Sequence, residues 1–156
     1  MKTIIALALV GAVLGTAAQT AQARLDPGTP PVRDARIAAA EYIVGQPVTI
    51  VCEPIDRMPA AVLAFVFIDG SYVIHLGPYA CETLKDPASP IFGAGVLVLA
   101  HEAEHLAGLL NESAANCAAI RKVDFLARRF WHVDDPNVQA SADRLFAMTP
   151  DTYRQC

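Results

Sequence analysis

The stretch IFGAGVLVLAHEAEHLAGLLNESAANC (91–117) decides how this chain is read. Ser89-Pro90 before it supplies an N-cap and a first-turn proline, so a helix is predicted to begin near Ile91. Its first ten residues are almost wholly apolar, which places that half of the helix in a core. Polar side chains begin abruptly at His101, and Gly108 is the predicted stop. Within HEAEH, His101 and His105 lie four residues apart. On a helix that spacing sets both imidazoles on one face, where they can share a metal, with Glu102 beside them to act on its bound water. Two histidines leave a third protein ligand to be found, because a catalytic zinc has three protein donors and one open position. Asn111 and Glu112 are the candidates.

A hairpin of two helices centred between Gly108 and Leu109 would set His105 opposite Glu112 and His101 opposite Asn116. Glu112 would also begin the second helix, where the dipole favours a carboxylate. Glu104 points to another side of the first helix and is expected in solvent. His75, within the alternating run SYVIHL, reads as a partly buried strand histidine. His132 follows Trp131 at a predicted helix end.

Working outward, residues 32–44 have helical spacing and stop at Gly45, and VTIVC (48–52) is β-branched like a strand. AVLAFVFI (61–68) and SYVIHL (71–76) flank Asp69-Gly70, the signature of a tight type I′ hairpin. Cys81 to Pro90 reads as a connection. One helix is predicted over 111–131, and another from Asp135-Pro136 to about Met148. The fold class is therefore α+β: a small β-sheet packed on an active-site helix, with a second, antiparallel helix beside it.

Residues 1–23 carry a single charge, Lys2, then an apolar run from Ile4 to Leu14 and a small-residue site Ala21-Gln22-Ala23. This reads as a cleavable signal peptide, since about 20 apolar residues are needed to span a membrane. Residues 24–156 are then a single domain, secreted or periplasmic, with no stable membrane insertion. The whole chain has a net charge of −4, and loss of Lys2 leaves the mature domain more negative by a single unit. Its densest basic stretch, RKVDFLARR (121–129), is interrupted by Asp124 and apolar residues. It reads as the solvated side of a helix, and no nucleic-acid partner is expected. The 4 cysteines permit three pairings in an exported chain. Cys52–Cys81 with Cys117–Cys156 is favoured because each bond fastens a separate half of the domain.

Two families resemble the motif. His101-Glu102-x-x-His105-x-x-Gly108-x-x-Asn111 resembles the metzincin pattern with Asn in place of the third His, and Met148 in AMTP stands where a methionine turn would. Asn111-Glu112-Ser113-Ala114-Ala115-Asn116 is similar to the N-E-x-x-x-D segment of gluzincins, a closer match because a carboxylate is the better zinc donor. The chain also looks like a largely uncharacterised family of small exported bacterial zincin-like peptidases, with H-E-x-x-H…E-x-x-x-x-C and Cys117 in the corresponding place. The gluzincin resemblance implies His101, His105 and Glu112 as zinc ligands, with Asn116 orienting a histidine from behind. It also implies a minimal zincin-like domain acting on a peptide or protein substrate, laid in extended form along SYVIHL as a sheet edge and hydrolysed by a zinc-bound water that Glu102 activates. Tyr153, carried toward the site by a Cys117–Cys156 bond, is the expected oxyanion donor, ahead of Arg154 and His132. The alternative is a non-catalytic extracellular binding domain held together by zinc and two disulfides.

Overall fold

A computed structural model describes residues 4–8 and 34–156. Apart from Ile4–Ala8, the segment expected as a signal peptide, its Ala21-Gln22-Ala23 site and the leader Arg24 to Pro31 lie outside the described residues. In chain order come β1 (Ile4–Ala8), α1 (Ala35–Val44), β2 (Thr49–Cys52), β3 (Val62–Phe67), β4 (Val73–Leu76), α2 (Pro78–Thr83), α3 (Phe92–Leu106), α4 (Glu112–Ile120), α5 (Val123–Trp131) and α6 (Pro136–Met148). The chain is α+β as expected.

Residues after 34 build a three-stranded mixed sheet in which β4 lies between β3, antiparallel to it, and β2, parallel to it. β1 adds to the outer side of β3 in antiparallel register, Ile4 opposite Phe67. The expectation that SYVIHL forms an edge is therefore corrected. Both sides of β4 are already paired, so its backbone has nothing left to offer an incoming strand. The hairpin between β3 and β4 forms, but its link is wider than a two-residue type I′ turn. Gly70 has φ 82° and Asp69 does not have positive φ; the second left-handed residue is Tyr72, at φ 48°. Asp69 accepts from the Ser71 amide at 3.0 Å, an Asx turn that takes the place of the tight one.

α3 is the centre of the molecule. Every residue from Phe92 to His105 is buried, and the helix packs against α1, α2, α4, α5, α6 and the sheet. Such a helix must be apolar or internally satisfied on every side, which is what IFGAGVLVLA provides. Gly93 permits the closest approach: a Cβ there would overlap the Val138 carbonyl and the Ser141 hydroxyl of α6. The single helix expected over 111–131 is two, broken at Arg121-Lys122, which lets α5 turn Val123, Leu126 and Ala127 inward. α2, within the stretch expected as a connection, was not anticipated. The four cysteines lie in two bonded pairs, Cys52–Cys81 and Cys117–Cys156, with Cα separations of 5.8 and 5.5 Å. The pairs fasten β2 to α2 and α4 to the C-terminal tail. Among the described residues no helix is long and apolar enough to cross a membrane.

Candidate metal centre

The site starts with the way α3 ends. Gly108, at φ 103°, takes the left-handed position after the helix. The Gly108 amide donates to His105 O and the Leu109 amide to Glu104 O, both at 3.0 Å, closing a Schellman turn. That turn reverses the chain into α4, whose first residue is Glu112. It also places the Leu109 carbonyl 2.6 Å from His105 Nδ1. A carbonyl only accepts, so Nδ1 donates to it and Nε2 is the nitrogen left to face the site. Asn111 caps α4, its Oδ1 accepting from the Ala114 amide at 2.9 Å. With its side-chain oxygen so engaged, Asn111 does not join the histidines, and Met148 at the end of α6 is exposed.

Glu112 does join them. Its Oε2 stands 3.1 Å from His101 Nε2 and 3.6 Å from His105 Nε2, and the two imidazole nitrogens are 3.0 Å apart. The helical hairpin thus brings Glu112 to both histidines, slightly nearer to His101 than to the expected His105. These three donor atoms lie within 4.8 Å of one another and form a group that can hold a metal ion. Burial pushes the His101 imidazole toward its neutral form, against the opposing influence of Glu112. Burial also raises the Glu112 carboxyl, but hydrogen bonds and charge from His101 and His105 outweigh it and bring its pKa to about 2. The outcome is two imidazole nitrogens and a carboxylate oxygen converging on one point, a donor set of the kind that holds a metal ion.

Glu102 is fully buried, and both its carboxyl oxygens lack a hydrogen-bond partner. Burial, with the charge of Glu112 second, holds its pKa well above the ordinary carboxylate range. An unpartnered buried carboxyl costs stability, and its neighbours on α3 are the two histidines. Asn116 is also fully buried on α4, and its amide acts on the His101 ring as a hydrogen-bonding group that favours protonation. The expected solvation of Glu104 is corrected: it is 4% exposed and pairs with Lys122 from the break between α4 and α5. A buried carboxylate requires such a partner. His75 is half-buried in β4, stacked on Phe65 at 4.6 Å and paired with Glu53 at 2.7 Å. It belongs to the sheet, as expected.

Two cavities border this region. One of about 320 Å³ reaches His105 and is lined by Phe67, Ile68, Tyr72, Leu106 and Leu110. A larger one, about 440 Å³, lies against Asn111, Arg121 and the Cys117–Cys156 bond and touches none of the three donors. The smaller is the relevant one because His105 is among the residues that line it. Tyr153 packs its ring, partly buried, against the core, while Arg154 pairs with Asp151. His132 is an exposed residue with φ 57° that ends α5.

Comparison with protein-family models, with curated proteins and with solved structures finds no match.

Proposed function

We propose that the chain is a secreted zinc-dependent hydrolase of peptide bonds. The observation that carries this reading is the convergence of His101, His105 and Glu112 next to an unpartnered Glu102. Two imidazoles and a carboxylate suit zinc, and three protein donors leave a position open, the count of catalytic rather than structural sites. Zinc bound there supplies Lewis acidity, which polarises a carbonyl and makes water a stronger acid. The remaining tasks belong to the chain's own residues. Glu102 takes the proton of the attacking water and passes it to the leaving amine. Leu109 and Asn116 hold the imidazoles in the required tautomer from behind. The cavity beside His105 offers room for an apolar side chain of the substrate.

The test is peptide-library cleavage by wild type and Glu102→Gln, with zinc content measured in both. Loss of hydrolysis with zinc retained is expected, and unchanged turnover in the variant would sink the mechanism. The oxyanion role expected for the Tyr153 hydroxyl has its own test: Tyr153→Phe should reduce turnover more than tenfold with zinc in place.

One observation favours the second reading, a non-catalytic binding domain. His101, Glu102 and His105 are at most 1% exposed, so little of the centre faces solvent. X-ray absorption of the zinc form separates the two: four protein donors mark a structural site, three plus solvent a catalytic one.

A further inference from the structure

The amide of Asn116 has two neighbours of opposite demand. Its Nδ2 donates to the Tyr153 carbonyl at 3.2 Å. Because that carbonyl only accepts, the orientation of the amide is fixed by chemistry. Oδ1 then points away from the tail, buried and with no other partner, and His101 Nδ1 is likewise buried without one. The demands of the two orphaned atoms match: Oδ1 can only accept, and Nδ1 donates whenever Nε2 is the nitrogen turned to a metal. The tail that holds Tyr153 is fastened to α4 at two further points. Ser113 Oγ donates to the Gln155 carbonyl at 3.0 Å, and Cys117 is bonded to Cys156.

We propose, resting on the zinc reading above, that the C-terminal tail is the outer support of the metal centre. The Tyr153 carbonyl, held in place by the Cys117–Cys156 bond, aims Asn116 Oδ1 at His101 Nδ1–H, and this presents His101 Nε2 to zinc. Only an amide can serve both sides. An aspartate would accept from His101 but would set a carboxylate oxygen against the Tyr153 carbonyl. Asn116 is therefore a positioning residue, and Tyr153 contributes through its backbone. Zinc affinity is coupled to a disulfide whose sulfurs bind no metal.

The experiment is zinc titration of the full mature chain, wild type against Asn116→Asp and Asn116→Leu, with thermal unfolding of each metal-free protein recorded alongside. Both variants should bind zinc about 10- to 100-fold more weakly, the usual effect of losing such an outer partner, at temperatures where the metal-free melt shows each of them folded. If Asn116 served only as an acceptor, Asn116→Asp would bind zinc more tightly through its charge, and that result overturns the proposal. Should Asn116→Asp not fold, the Cys117→Ser, Cys156→Ser pair leaves Asn116 intact, and unchanged affinity there overturns it equally. Absence of zinc binding by the wild type removes the metal centre itself. Wild-type binding matched by all variants removes the tail's role alone.

Discussion

Alanine at His101, His105 or Glu112 should strip most zinc from the purified protein, whereas Asn111→Ala should retain it. The last variant loses only the α4 cap, at a cost of about 1 kcal/mol; metal content after dialysis and a denaturant melt separate the two effects. Full zinc retention by Glu112→Ala would move the third ligand elsewhere. Glu102 and Glu112 give the metal-free protein opposite pH dependences. Glu112, at about 2 when folded, contributes stability that is complete above the ordinary carboxylate value of 4.5 and is lost as pH falls through 2. Glu102 is raised, so above 4.5 the folded chain keeps a proton that the unfolded chain has released. Stability should then fall with rising pH, by up to ~1.4 kcal/mol per pH unit. Denaturant melts of zinc-free protein between pH 5 and 8 should show this decline in wild type and its absence in Glu102→Gln. A decline of equal slope in both would show that Glu102 is not the group responsible.

At the scale of elements, the turn at Gly108 links helix geometry to the candidate metal centre. Gly108→Ala forces a side chain into φ 103°, a cost of about 1–3 kcal/mol. It also disturbs the Leu109 carbonyl behind His105. Lower stability together with several-fold weaker zinc binding is expected, and a loss of stability alone would detach the turn from the site. Gly93→Ala should be worse for folding and silent on zinc in whatever fraction folds, since its clash lies at the α6 end of α3. These elements differ in how far the sequence announces them. The course of α3, its stop at Gly108 and the α4 start are written in local signals: an apolar run, a left-handed residue, an Asn cap. His101, His105 and Glu112 were legible because a four-residue step and a short reversal leave little freedom. The neighbours of β4 were not legible, because alternation reports which faces are buried and says nothing of which strands lie alongside. The ion pair of Glu104 with Lys122 escaped for a related reason. Its burial comes from the break at Arg121-Lys122, and that break answers to the packing of α5 rather than to any Gly or Pro. α2 is six residues long and too short to show a period.

Across the whole molecule, the pieces of the centre differ in mechanical standing. α3 is enclosed on all sides, so its amides should be among the last to exchange with solvent, close to the limit set by global unfolding. Glu112 opens a nine-residue helix, after the exposed residues Leu109 to Asn111, with its own side chain 22% exposed. First turns fray at far lower free energy than cores unfold. The clamp thus has one jaw set in the core and one on a hinge. Ion exchange needs only the hinged jaw to swing, so the rate at which a chelator withdraws zinc should follow the hydrogen exchange of Glu112–Ile120. It should be indifferent to changes in global stability made at the far end of α3. A chain this tightly packed could then load and release its metal many times within the life of a single folded state.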